Sequence, residues 1–182
     1  EAFGCTVLMA ENEIPSVTGR LVTTMEQASK LAPPQPGDKR TAIHLETVRQ
    51  LRKLTGGPIV LGGCIGPFSL AARLVGVSEA MEMTVNEPEL IHALLEQATT
   101  FLTAYVCAFR AAGAGAVIMA EPAAGLLSPR TLATLSSPYV RRIGAAVAGD
   151  GFGIVLHNCA AKLVHLPAIL ESGLQTFHFG AP

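Results

Sequence analysis

Charged residues are scarce in this 182-residue chain, at 15% of the total, whereas hydrophobic residues make up 49%. The formal net charge is −1 and no basic cluster occurs, which argues against nucleic acids and anionic membrane surfaces as partners. No apolar run reaches the ~18 residues of a membrane-spanning helix, because charged and glycine residues interrupt the closest stretch, 104–120. The four cysteines are scattered rather than spaced as a disulfide framework, which predicts a reducing, cytoplasmic location.

The high apolar content predicts strands buried on both faces or a large interface between subunits, so a homo-oligomer is one expectation. A chain of this length can form one compact domain, and we predict a single domain over residues 1–182.

Short apolar strands alternate with amphipathic helices along most of the sequence. We predict strands at 58–61, 116–119, 153–159 and 175–179, and helices at 41–54, 68–74, from Asn86 to 112, at 128–147 and at 162–170. Asn86 is the expected N-cap of its helix, with Glu89 three residues later in capping-box spacing. Ser128-Pro129 is expected to open the 128–147 helix, which restarts at Ser137-Pro138. Gly56 and Gly57 are expected to end the first of these helices. The alternation specifies an α/β fold with a parallel sheet, either a closed (β/α)8 TIM barrel or an open, doubly wound sheet.

Two features favour the barrel. The first clear strand is followed only by Gly62-Gly63-x-x-Gly66, a weak match to any phosphate-binding fingerprint, and polar residues follow nearly every strand, as at the catalytic face of a barrel. A complete barrel takes about 250 residues. We therefore expect an incomplete portion of one.

The stretch Gly153–Ala160 contains the strongest candidate site, because an apolar strand runs directly into His157-x-Cys159. Imidazole nitrogen and thiolate sulfur are ligands that zinc prefers. If the strand continues through both residues, their side chains point to the same face and converge on one ion. Two ligands do not complete a site, so the assignment depends on the rest of the chain.

Other polar residues near strand ends have two plausible roles each. Glu121 is either a substrate contact or a partner in a loop salt bridge, and His178 either lines the pocket or is a buried core histidine. Cys64 follows its strand as a candidate substrate contact, although a small buried apolar role is favoured. Asn158, between His157 and Cys159, is a further candidate substrate contact. His165 is expected on a solvated helix face.

Three short blocks occur in order between residues 57 and 180: Gly66–Ala71 followed by Gly76, Glu121–Pro129, and Ser137–Tyr139. Together they resemble the uroporphyrinogen decarboxylase superfamily, whose fold is a (β/α)8 barrel of nearly twice this length. The resemblance implies that an N-terminal portion and the last strands are absent from these residues.

His157-x-Cys159 makes the chain similar to the cobamide-dependent methyltransferase branch of that superfamily. The resemblance implies that His157 and Cys159 bind Zn²⁺, with a third ligand, a cysteine, beyond Pro182. It also implies methyl transfer from a methylated corrinoid (methylcobamide) protein to a small-molecule thiol such as coenzyme M. Where several relatives have an acidic residue near the zinc, this chain has Gly180, with His178 two residues before it.

The alternatives are a metal-independent uroporphyrinogen decarboxylase and a non-catalytic homologue that only binds a corrinoid protein or a tetrapyrrole. The decarboxylase reading predicts no zinc and an Arg-rich substrate-binding segment outside these residues. The resemblance to decarboxylases is weaker at two places. Decarboxylases of tetrapyrroles do not carry His-x-Cys on the strand of His157 and Cys159, and they tend to have serine where this chain has Pro122 after Glu121.

Overall fold

The computed structural model describes residues 1–54, 57–149 and 151–180. Six strands occur in the described residues: β1 (Thr6–Leu8), β2 (Ser16–Thr18), β3 (Leu61–Ile65), β4 (Ala116–Ala120), β5 (Gly153–Asn158) and β6 (Thr176–Phe179). The α-helices are α1 (Met25–Lys30), α2 (Thr41–Leu54), α3 (Pro67–Val75), α4 (Val77–Asn86), α5 (Pro88–Ala111), α6 (Pro129–Leu135), α7 (Ser137–Val147) and α8 (Leu166–Leu170). Two 3₁₀ helices span Pro122–Leu126 and Leu163–His165.

The central sheet has four strands in the order β3-β4-β5-β6, and all neighbouring pairs are parallel. Each strand therefore lies beside the next one in sequence, and helices form the connections between them. Strands β1 and β2 form a separate antiparallel pair. The predicted α/β fold with a parallel sheet is confirmed.

The hydrophobic core lies on one face of the central sheet, between the strands and the helices that connect them. Val117, Met119, Ile154 and Leu156 point to this face and are buried. Gly62 lets α5 approach closely, since a Cβ at this position would lie 2.7 Å from the Phe109 ring. The helices thus cover one side of the sheet.

The opposite face of the sheet is the more open one in the described part of the chain. The strand register places Gly63, Ile118 and Val155 side by side on it, and the Ile118 side chain is 38% exposed. Ile65, Ala120 and His157 follow one layer nearer the carboxyl ends of the strands. Because β-strand side chains alternate, this open face is where functional side chains on the strands can meet a ligand.

Some predicted boundaries are confirmed and others are wrong. Helix α2 has its predicted bounds, although Gly56, expected to help end it, lies outside the described residues. The strand predicted at 58–61 starts only at Leu61 and runs to Ile65. Asn86 does not begin a helix but ends α4, because Pro88 opens the next helix, with Glu87 as its N-cap. Proline suits the first helical position, where its missing N–H costs no hydrogen bond.

Helix α5, at 24 residues, is the longest in the described residues. None of the helices in the described residues combines the length and the apolar character that a membrane-spanning segment needs.

Candidate active site at the carboxyl ends of the strands

His157 lies near the carboxyl end of β5, on the open face of the sheet, and its side chain is half-buried. The parallel register places Ala120 of β4 on one side of it and His178 of β6 on the other. The backbone N–H of Glu121 donates a hydrogen bond to the His157 carbonyl oxygen at 2.7 Å. The end of β5 is thus fixed by both neighbouring strands.

His157 and His178 contact each other directly across the strand pair. Their Nδ1 atoms are 2.6 Å apart and their ring centroids 4.8 Å apart. A contact this short requires one Nδ1–H to donate to the lone pair of the other Nδ1. With Zn–N bonds of about 2.0–2.1 Å, two nitrogens this close would subtend an angle of about 80° at the metal, well below the tetrahedral value. At this distance the two nitrogens are placed for an N–H···N hydrogen bond rather than as a pair of ligands to one tetrahedral ion.

Cys159 lies just outside the strand, because β5 ends at Asn158 and not after the cysteine as predicted. Its side chain is exposed, and its position is set by the following turn and by Gly180 beside it. A Cβ at position 180 would lie 2.7 Å from the Cys159 carbonyl oxygen and 3.3 Å from its Cβ. The absence of a side chain at Gly180, where relatives were expected to have an acidic residue, thus allows this close approach.

Glu121 is buried, with 1% of its surface exposed, and its carboxylate caps the first turn of α3. The N–H groups of Phe68 and Ser69 donate to its two oxygens at 2.7 and 2.9 Å, and the Ser69 hydroxyl donates at 2.6 Å. Gly66 makes room for it, since a Cβ there would lie 2.3 Å from the Glu121 Cγ. Neither role expected for Glu121, a substrate contact or a loop salt bridge, describes these contacts.

Burial raises the pKa of Glu121 to about 7, although the hydrogen bonds from Ser69 and Phe68 oppose the shift. The carboxylate therefore changes its protonation state near neutral pH while it holds the start of α3. Glu121 connects three strand ends: its side chain binds the segment after β3, its backbone follows β4, and its N–H holds β5.

Cys64 and Asn158 point away from His157, toward the helices. Cys64 aligns with Met119 and Leu156 on the covered face, where burial, with the nearby charge of Glu121, raises the pKa of its thiol to about 12. Asn158 is 2% exposed, and its Oδ1 accepts no hydrogen bond within the described part of the chain. A Cβ at Gly125 would lie 2.5 Å from that oxygen. The structure does not bring Cys64 or Asn158 together with His157.

Sequence reasoning missed two polar residues with defined roles. Ser69 lies within the Gly66–Ala71 block, but nothing local marks it as a partner of Glu121, 52 residues away, and only their contact reveals that role. His165, expected to be solvated, is buried: its Nδ1 accepts a hydrogen bond from Lys162 N–H at 2.9 Å, and its Nε2 lies 3.0 Å from the Leu127 carbonyl oxygen. The Nε2–H tautomer satisfies both partners.

The donor chemistry of His157 and Cys159 suits zinc, since imidazole nitrogen and thiolate sulfur are its preferred ligands. Within residues 1–54, 57–149 and 151–180, no three histidine, cysteine or acidic side chains are arranged to hold a metal ion. These residues thus supply two donors of the right type but not a complete set.

A model of the Uroporphyrinogen decarboxylase (URO-D) family matches residues 1–181. The chain belongs to the uroporphyrinogen decarboxylase family. The superfamily inferred from the three sequence blocks is therefore confirmed.

Members of the family similar to this chain include both methyltransferases and decarboxylases. The chain is 30% identical over 185 residues to a methylated-thiol–coenzyme M methyltransferase of Methanosarcina mazei, covering 98% of this chain and 48% of that protein. It is 30% identical over 179 residues to the methylcobamide:CoM methyltransferase MtbA of Methanosarcina acetivorans, covering 96% and 52%. It is 31% identical over 152 residues to a uroporphyrinogen decarboxylase of Xylella fastidiosa, covering 79% and 42%.

A solved methyltransferase from Methanosarcina mazei has a similar structure, with a TM-score of 0.85 and 27% sequence identity, over 97% of this chain and 52% of that one. The chain spans about half the length of the curated relatives it matches. The predicted fold class, a partial (β/α)8 barrel of the URO-D type, is confirmed.

Proposed function

We propose that this chain is part of a zinc-dependent methyltransferase that transfers a methyl group from a methylated corrinoid protein to a thiol acceptor such as coenzyme M. The observation that carries the proposal is the placement of His157 at the carboxyl end of β5, on the open face of the sheet, with Cys159 two residues later. Similarity to methylcobamide:CoM methyltransferases supports the same reaction class.

His157 and Cys159 are the residues that would hold the metal, through an imidazole nitrogen and a thiolate sulfur. When bound, zinc lowers the pKa of an acceptor thiol, so that the nucleophilic thiolate is available at neutral pH. The backbone N–H of Glu121 holds the His157 carbonyl, which fixes the strand end that carries the imidazole. Ile118 and Val155 lie one layer below His157 on the same face of the sheet and give the donors an apolar neighbour there.

Uroporphyrinogen decarboxylation is the second candidate, because the chain is 31% identical to a decarboxylase over 79% of its length. A decarboxylase of this kind needs no metal, and His157 and Cys159 would then be unremarkable polar residues at a strand end. The two functions therefore differ in the metal they require and in the substrate they consume.

Metal analysis of the full-length protein tests the proposal. We expect about one zinc per chain in the wild-type protein and its loss in the His157→Ala and Cys159→Ala variants. Cys107→Ala is the matched control, because Cys107 is also an exposed free cysteine but lies on α5. A folded wild-type protein without zinc, or zinc retained in both site variants, would contradict the proposal.

Activity assays on the same proteins separate the two candidates. We expect the wild-type protein to methylate coenzyme M from methylcobalamin and to leave uroporphyrinogen III unchanged. His157→Ala should lose the methyl transfer, whereas Cys107→Ala should retain it. Consumption of uroporphyrinogen III with release of CO₂, at equal rates in wild type and His157→Ala, would establish the decarboxylase instead.

A further inference from the structure

We propose that His178 is a positioning residue that accepts a hydrogen bond from His157 Nδ1–H and so leaves the lone pair of His157 Nε2 free for a metal ion. This inference rests on the proposed function and extends it to a residue outside the His157-x-Cys159 pair. It concerns which of the two ring nitrogens of His157 carries the proton, a choice that decides whether the imidazole can be a ligand.

The two histidines are direct neighbours in the sheet. His157 on β5 pairs with His178 on β6 in the parallel register, and both side chains point to the open face. Their Nδ1 atoms are 2.6 Å apart, and the ring planes are inclined at 34°. Because adjacent strands fix both backbones, this contact is built into the sheet and does not depend on a mobile loop.

The short contact leaves only one nitrogen of His157 available to a metal. Nδ1 of His157 faces Nδ1 of His178 at hydrogen-bond distance, so no ion fits between them without separating the rings. A metal can therefore bind His157 only through Nε2. A neutral imidazole with a free lone pair on Nε2 carries its proton on Nδ1.

His178 is suited to be the acceptor of that proton. Its side chain is exposed, so its own Nε2–H can donate to water while the Nδ1 lone pair accepts from His157. Metal-binding histidines usually donate their second N–H to a carboxylate, a carbonyl or water, and the partner fixes the tautomer and orients the ring. Here a second imidazole takes that position.

Nitrogen-15 NMR of the histidine rings in the metal-free full-length protein, at alkaline pH where imidazoles are neutral, tests the tautomer directly. We expect His157 in the Nδ1–H form in the wild-type protein. His178→Phe should shift His157 toward the Nε2–H form, and His178→Asn should restore the Nδ1–H form, because an amide oxygen can accept the hydrogen bond. His165 is an internal reference, since its backbone partners select the Nε2–H tautomer.

Zinc affinity, measured by competition with a chelating dye, is the second readout. Loss of the partner of a metal-binding histidine typically costs 10–100-fold in affinity, and we expect a decrease of about that size in His178→Phe. His178→Asn should retain most of the wild-type affinity. A merely structural role for His178 would not distinguish the two variants, which replace the same exposed side chain.

The outcomes separate this inference from the proposed function. His157 in the Nε2–H form in the wild-type protein, or an unchanged His157 tautomer in His178→Phe, would overturn the inference even if zinc binds. A wild-type protein with the Nδ1–H form that follows His178 as expected, but without zinc, would uphold the positioning role and overturn the proposed function.

Discussion

Glu121 provides a prediction whose magnitude follows from the structure: its burial makes the stability of the protein depend on pH. Burial raises its pKa from the ordinary value of 4.5 to about 7, against the opposing effect of the hydrogen bonds from Ser69 and Phe68. The unfolded chain releases this proton near pH 4.5, whereas the folded chain keeps it until about pH 7. Between these values the folded state binds more protons, so the free energy of unfolding decreases as the pH rises.

The expected size of this decrease is roughly 3 kcal/mol, since one pKa unit corresponds to about 1.4 kcal/mol and the pKa rises from 4.5 to about 7. The stabilising contribution is fully present below pH 4.5 and is lost as the pH rises through 7. The perturbation is Glu121→Gln, which removes the titrating group. The amide does not titrate, so its effect on stability is the same at every pH. This constant effect is a destabilisation, because the N–H₂ group of glutamine faces N–H donors of α3 where the carboxylate offers an acceptor oxygen.

The effect is measured by urea-induced unfolding of wild type and Glu121→Gln at several pH values from 4.5 to 8. The quantity compared is the difference between their free energies of unfolding at each pH. All other titrating groups are shared by the two proteins and cancel in the comparison. We expect the stability of wild type relative to the variant to fall by roughly 3 kcal/mol over this range. Parallel stability curves for the two proteins would refute the assignment of a strongly raised pKa to Glu121.

A second variant, Ser69→Ala, tests the direction in which the hydrogen bond from Ser69 shifts the pKa of Glu121. The Ser69 hydroxyl donates to the Glu121 carboxylate at 2.6 Å and favours its ionised form. Its removal should raise the pKa of Glu121 further and enlarge the pH-dependent loss of stability. A smaller loss in Ser69→Ala than in wild type would contradict the proposed role of this hydrogen bond.

Two further predictions concern glycines at close contacts. Gly180→Ala should weaken zinc binding in a chelator competition assay, because the added Cβ would displace the backbone of Cys159. Gly153→Ala is the control and should leave zinc affinity unchanged, since its Cβ meets open space. Equal zinc affinities of the two variants would contradict the role of Gly180 in placing Cys159. Gly62→Ala should destabilise the protein by about 1–3 kcal/mol in urea unfolding, since its Cβ would lie 2.7 Å from the Phe109 ring and overpack the core. Gly63→Ala, which meets nothing within 4 Å, is its control, and equal stabilities would refute close packing of α5 on β3.

Local patterns in the sequence predicted much of the fold. The bounds of α2 were predicted from its apolar stripe and from the two glycines that follow it, and Ser128 followed by Pro129 marked the start of α6. Such patterns are local because a helix hydrogen-bonds within itself and its caps lie within a few residues. The prediction failed at Asn86, where a favourable capping pattern competed with Pro88 two residues later and the proline began the helix.

The candidate site was only partly predictable. His157 and Cys159 are recognisable because both donors stand within three residues at the end of an apolar strand. The direct contact of His157 with His178 was not predictable, because it depends on the register of two strands whose histidines are 21 residues apart. Cys64 was placed among the polar residues at strand ends, but only the register reveals that it faces the helices.

The sequence by itself determined the alternation of strands and helices, the family and the His157-x-Cys159 pair, because periodicity, capping and short motifs are properties of neighbouring residues. Only the tertiary structure decided that Glu121 caps α3 and that His178 faces His157. Those contacts join residues that are distant in sequence, and they form only when the sheet register and the packing of helices on one face bring the strand ends together.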